Sequence, residues 1–165
     1  MKHNESMTCL YGSETAEKSH PQIALRGALD SLLARAVYTC AYARENGWEA
    51  ETVELAEVVC VIRTLIGCEA GNKEPGIEKI LGFSLEEARE ASYFPEKYLH
   101  TQHYFPNEDS DLLSAVINML RTEIRQTERA CVCAGLDEYV NRGIQKVLNR
   151  LSSIVYIIML KHNAK

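Results

Sequence analysis

The 165-residue sequence has few of the features that mark specialised protein classes. Long apolar runs are missing. The most apolar stretch, Ile154 to Leu160, falls far short of the roughly 20 residues needed to span a bilayer. Basic charge is in deficit: 18 Lys and Arg against 23 Asp and Glu leave a formal net charge of −5. No global field therefore draws the chain to nucleic acid or to an anionic membrane surface. No segment alternates apolar and polar residues long enough to make a useful strand. Internal repeats and low-complexity tracts are absent. So are the P-loop spacing, a Cys-x-x-Cys pair and a His-Glu-x-x-His motif. The opening MKHNESMTCLYG carries no apolar signal segment, so the expected setting is the cytoplasm. The six cysteines are then expected to be reduced, four of them inside apolar helical patterns where a thiol packs as a small hydrophobe.

What is present is helical periodicity. Residues 1–18 are polar and read as an arm preceding a bundle over 19–165. Ser19-His20-Pro21-Gln22 reads as a helix start with Ser19 as N-cap. Leu25, Leu29, Leu32, Leu33, Ala36, Val37 and Cys40 follow at helical spacing, up to a stop at Asn46-Gly47. A second helix is predicted from about Ala50 to Cys68, with Val58, Ile62, Leu65 and Ile66 inward. Pro75 and its neighbouring glycines break the chain, and Ser84-Leu85-Glu86-Glu87 reads as a capping box opening a short helix. Pro95 and Pro106 bracket a segment rich in aromatics and histidines. Two long helices are predicted to follow, about Ser110 to Ala134 and Glu138 to Leu160, separated at Gly135. About five helices with short links predict an all-α, up-and-down bundle.

Several polar groups interrupt these patterns. Arg121, Arg125 and Glu128 lie within a narrow arc of one helix face, bordering the stripe of Ile117, Leu120 and Ile124. Two guanidiniums there suit a polyphosphate in a cleft, or else a solvated face with a local Arg–Glu pair. Arg26 and Asp30 are four apart on the first helix. Asp30 is expected to be partly buried and paired, either with Arg26 or with Arg121 or Arg125. Asn149, Ser152, Ser153 and Tyr156 form a polar line that serves interhelical bonding, a subunit interface or a ligand edge. Cys131 and Cys133, two apart on a helix, diverge too far to chelate one metal, and no metal site is expected. The arm from Thr8 to Ser19, with Lys18 before a helix N-terminus, is either a phosphate contact or a plain tail.

Four segments taken in order, KSHPQIALRGALDSLLA, EKYLHTQHYFP, NMLRTEIRQTER and VLNRLSSIVYIIML, resemble the ATP:corrinoid adenosyltransferases, most of all the ethanolamine-utilisation branch. The resemblance runs from about Thr8 to Lys161. It implies a helix bundle that transfers the 5′-deoxyadenosyl group of ATP to cob(I)alamin, with Mg²⁺ on the phosphates. Arg121 and Arg125 match the family's arginines, which neutralise the leaving polyphosphate, and Glu128 is expected to orient Arg125 or metal waters. Asp30 matches a helix-one aspartate that reaches an arginine across a subunit interface. Asn149 matches an asparagine near the nucleotide, and Lys18 and Arg26 are expected nucleotide contacts. Phe105, sixteen residues before Arg121, matches an aromatic that excludes the lower cobalt ligand. Tyr104, Phe94 and Tyr93 are its fallbacks, and His103 joins Tyr104 as an expected corrinoid contact.

The family's ethanolamine-type members carry an N-terminal His-x3-Cys-Cys metal motif, which this sequence does not contain, so dependence on that metal is not expected. The propanediol type's Thr-Arg-Thr-Gly-Asp-like ATP loop is replaced by the arm at Thr8 to Lys18. The resemblance also implies a homo-oligomer, trimer before dimer, with sites between subunits. A flavoprotein reductase partner is implied, as is a cytoplasmic location, free or associated with a bacterial microcompartment. A corrinoid-binding chaperone or sensor without turnover, and a helical scaffold, are the rival readings.

Overall fold

The computed structural model describes residues 5–135 and 139–164, apart from the side chain of Tyr139. Two short strands, β1 (Met7–Cys9) and β2 (Thr15–Glu17), pair antiparallel. Helices α1 (Pro21–Glu45) and α2 (Glu49–Ala70) follow. A second small hairpin, β3 (Lys79–Ile80) with β4 (Phe83–Ser84), leads into α3 (Leu85–Tyr93) and the single turn α4 (Pro95–Tyr98). The long helices α5 (Leu112–Ala134) and α6 (Tyr139–Asn163) complete the chain. The bundle is all-α in its core, as the periodicity predicts. The hairpins are only two or three residues per strand, too short to show alternation. The predicted start of the last helix at Glu138 lies outside the described residues.

Helix ends follow local chemistry with one correction. The N-cap of α1 is His20, whose Nδ1 accepts from the Gln22 backbone N–H at 3.1 Å. Ser19 instead donates to Glu17. With Pro21 at the first helical position, where proline is best tolerated, the cap falls on the residue before it. At Ser84 both arms of the capping box form: Ser84 Oγ accepts from Glu87 N, and a Glu87 carboxylate oxygen accepts from Ser84 N.

Four long helices enclose the core in the ring order α1, α2, α6, α5. Every neighbouring pair runs antiparallel. Thr127 near the end of α5 meets Ala28 near the start of α1, and Lys161 near the end of α6 pairs with Glu54 near the start of α2. The chain does not simply alternate around the ring, because segment 71–111 returns along the bundle before α5 begins and α3 packs on α6 during that crossing. That long connection supplies one wall of the site.

The stripe of Ile117, Leu120 and Ile124 on α5 is fully buried, against Leu148 and Leu151 of α6. Val37, expected inward on α1, is 49% exposed. The neighbours of α1 cover the stripe that runs from Gln22 through Leu25, Leu29, Leu32 and Ala36 to Ala43, and Val37 points about 100° away from Ala36. Leu120→Ala is expected to destabilise the bundle by about 2–5 kcal/mol, through lost transfer energy and a cavity. Urea unfolding followed by circular dichroism measures it.

Where that connection ends, α2, α5 and α6 are joined at one end of the bundle. His162 Nδ1 meets Glu51 at 2.9 Å and its Nε2 lies 3.3 Å from Asp111, the N-cap of α5. Partial burial pulls the Asp111 carboxyl upward, but hydrogen bonds from Ser114 and the facing His162 outweigh it and hold it below the usual Asp range. A depressed carboxylate stabilises the fold above its unfolded value, near pH 4, and that contribution is lost as pH falls through the folded value. The stability gap between the wild type and Asp111→Asn, measured by denaturant titration at successive pH values, should therefore shrink as pH drops below about 4.

Candidate active site

The end of α3, the segment 99–111 and the middles of α5 and α6 enclose a cleft of about 300 Å³. Arg121 and Arg125 enter from α5. Asn149, Arg150, Ser152, Ser153 and Tyr156 enter from α6, and His103, Tyr104 and Phe105 from the connection. The antiparallel packing of α5 and α6 sets the pairing. Glu128 meets Asn149, and two turns away on both helices Arg121 meets Tyr156.

On one side of the cleft lies an amide–carboxylate network. Glu128 Oε1 accepts from Asn149 Nδ2 and from Gln145 Nε2, each at 2.8 Å. Asn149 Oδ1 accepts from an Arg150 guanidinium N–H at 2.5 Å, and Arg150 lies 3.7 Å from Glu86 on α3. These contacts orient the Asn149 amide from both ends and occupy one oxygen of Glu128, which lies in an adjoining groove with Arg125. The Arg150 Nε is buried without a hydrogen-bond partner.

Arg121 and Arg125 of α5 are free of such engagement. Neither Arg121 nor Arg125 forms an ion pair with a described residue. Arg121 is half-buried, with its guanidinium 5.3 Å from the centre of the Tyr156 ring. Burial and the neighbouring Arg125 charge pull the Arg121 guanidinium below its ordinary value, yet arginine stays protonated in proteins. Beside the engaged Arg150, the cleft thus holds two further cations one turn apart, Arg121 and Arg125, and Arg121 is poorly solvated with no carboxylate beside it. That is a site for an anion with several oxygens. Its rim is aromatic: Tyr93 is 64% exposed and Phe105 76%.

Other expected site residues sit elsewhere. Asp30 is exposed on α1 and makes no ion pair with a described residue. It follows Leu29 around the helix by about 100°, which turns it out of the core. The expected Arg26–Asp30 pair is replaced by Arg26 with Glu69 of α2, at 2.8 and 2.9 Å. Glu69 is 1% exposed, and a buried carboxylate without a cation is costly, whereas an exposed i,i+4 pair contributes little. Arg26 also donates to the Cys9 and Leu10 carbonyls, while Tyr11 donates to Glu69. The arm is thereby a hairpin strapped to the ends of α1 and α2. Lys18 is exposed at its close, and neither Lys18 nor Arg26 lines the cleft.

The residue alphabet alone did not single out Arg150, although it adjoins Asn149. On an isolated helix it points well away from Asn149, and only the return of α3 across α6 brings Glu86 to it. Cys131 is buried, its thiol pushed up to about 12 by desolvation, while Cys133 is exposed. Among the described residues no three His, Cys, Asp or Glu side chains gather as a metal site. No described helix is long and apolar enough to cross a membrane.

The fold and site define a helical bundle with a cationic, aromatic-rimmed cleft between two antiparallel helices. The chain belongs to the cobalamin adenosyltransferase family, whose model matches residues 2–162. It is 30% identical over 162 residues, 96% of its length, to the corrinoid adenosyltransferase EutT of Escherichia coli K12. The EutT of Salmonella typhimurium LT2 is 28% identical over the whole chain. The chain spans 59% and 61% of these relatives' lengths. The resemblance carried by the four sequence segments is borne out.

Proposed function

We propose that this chain transfers the 5′-deoxyadenosyl group of ATP to a corrinoid reduced to cob(I)alamin, in ethanolamine or related corrinoid-dependent catabolism. The observation that carries the reading is the pair of cleft arginines, Arg121 and Arg125, without carboxylate partners. In this reaction a cobalt–carbon bond forms at C5′ and the C5′–oxygen bond breaks, its electron pair leaving with the polyphosphate. Cobalt(I) is itself the nucleophile, so the protein need supply no base. The work left to the chain is alignment and charge neutralisation.

Arg121 and Arg125 would hold the polyphosphate, with Mg²⁺ sharing its charge. Asn149, oriented by Glu128 and Arg150, would hold the nucleoside end. A volume of about 300 Å³ lies at the lower limit of small-molecule sites. It has room for part of a nucleotide but not for a corrin ring. We therefore place the corrinoid across the mouth, against the exposed Phe105, with His103 and Tyr104 behind it. Asp30, exposed on α1, is available to a neighbouring subunit, and a homo-oligomer would close the cleft from outside. Lys18 and Arg26 would act through the strapped arm. A flavoprotein reductase and a cytoplasmic location, free or beside a microcompartment, complete the reading.

The direct test is anaerobic incubation with chemically reduced cob(I)alamin, ATP and Mg²⁺, followed spectroscopically. Adenosylcobalamin formation is the expected result. Binding of both substrates without product would instead leave a corrinoid chaperone or sensor.

A further inference from the structure

One side chain touches both walls of the cleft. Tyr156 sits on α6 and is 9% exposed. Its ring face lies under the Arg121 guanidinium carbon at 5.3 Å, within cation–π range. Its hydroxyl turns the other way, into the connection that carries the aromatic rim. That hydroxyl donates to the Tyr104 carbonyl at 3.3 Å, and His103 Nδ1 lies 3.0 Å from it. A phenol has one proton to give. If it goes to the Tyr104 carbonyl, His103 must donate from Nδ1 to the phenol oxygen. Desolvation raises the Tyr156 pKa despite the opposing Tyr104 and Arg121 contacts, which keeps that proton in place at neutral pH.

The rings continue the connection. His103 is inclined 22° to Tyr156 with centroids 6.2 Å apart, and Phe105 is inclined 25° to His103 at 6.1 Å. Arg121, Tyr156, His103 and Phe105 thus form a continuous column from the cationic wall to the aromatic rim. Few other contacts restrain the rim end of it. His103 and Phe105 are exposed, and Tyr104 is fastened through its hydroxyl to Ser110 at 2.6 Å.

We propose that Tyr156 is a positioning residue that couples the two halves of the site: its ring seats Arg121 and its hydroxyl pins the segment from His103 to Phe105. The proposal rests on the adenosyltransferase reading, because it assigns the arginine wall to ATP and the aromatic rim to the corrinoid. The two functions of Tyr156 separate by substitution. Tyr156→Phe keeps the ring under Arg121 and removes only the hydroxyl, whereas Tyr156→Leu removes both.

The test compares the wild type, Tyr156→Phe and Tyr156→Leu in KM for cob(I)alamin and for ATP. Equilibrium titrations with cob(II)alamin and with ATP–Mg²⁺ accompany them, and thermal unfolding verifies that each variant is folded. Loss of the hydroxyl's two hydrogen bonds, to the Tyr104 carbonyl and to His103, predicts that Tyr156→Phe weakens corrinoid binding about five- to hundredfold and leaves ATP binding unchanged. Tyr156→Leu is expected to weaken corrinoid binding similarly and ATP binding by about three- to thirtyfold, through the lost cation–π contact. A purely structural role would lower the melting temperature and weaken both ligands in parallel. Parallel losses in Tyr156→Phe, or no change in either ligand, overturn the coupling. Wild-type protein that binds both ligands without forming product overturns the adenosyltransferase reading alone, and the titrations still decide the coupling. Wild-type protein that binds neither overturns both.

Discussion

Arg121→Ala and Arg125→Ala are each expected to remove most adenosyl transfer while leaving the bundle folded. Both residues face the cleft and neither holds a carboxylate among the described residues, so truncation strands no buried anion. Alanine is moreover the better helix former. The functional cost should be large, because the developing negative charge on the leaving polyphosphate would lose a preorganised donor. Removing one such donor typically lowers kcat by about 10²–10³-fold. Arg121→Lys should recover only part of the loss, since an ammonium keeps the charge without the planar fork. The double variant should be little worse than the worse single one, because groups clamping one leaving group act as a unit. Single-turnover assays with preformed cob(I)alamin, alongside far-ultraviolet circular dichroism, measure these effects. Near-normal turnover in both single variants would remove the arginines from the mechanism.

Phe105→Ala should show an effect that depends on the oxidation state supplied. Starting from cob(II)alamin and a mild reductant, activity is expected to collapse, because water reaching the lower face of cobalt makes it harder to reduce. Starting from preformed cob(I)alamin, the loss should be slight. The position of Phe105 sharpens this comparison. A buried phenylalanine deleted to alanine would cost about 3–5 kcal/mol of stability and harm both assays, but Phe105 is 76% exposed. Its removal should barely move the melting temperature, which takes general unfolding out of the comparison. Equal losses in the two assays would rule out the lower-face role and transfer it to Tyr104 or Phe94.

The long helices were legible because each buries a stripe that repeats at helical spacing. Ile117, Leu120 and Ile124 show it on α5, and Leu148, Leu151 and Val155 on α6. The capping box at Ser84 was legible because it is built from residues three apart. The arc of Arg121 and Arg125 was legible for the same local reason. The hairpins at Met7–Glu17 and Lys79–Ser84 were not, since two or three residues per strand carry no period. The Arg26–Asp30 pair was misread because helical spacing says which side chains can meet, not which partner has the greater need. Glu69, buried on another helix, wins Arg26 by its desolvation.

The sequence by itself thus determined the helices, their inner faces, the arc of Arg121 and Arg125 and the resemblance to a family. All of these depend on residues within a few positions of one another, or on their order along the chain. Only the tertiary structure decided the ring order α1, α2, α6, α5, the return of segment 71–111 across α6, and the column from Arg121 through Tyr156 to Phe105. Those features join residues dozens of positions apart, such as His103 and Tyr156. Their pairing is set by which helix faces can be buried together, a property of the packed bundle that no single segment carries.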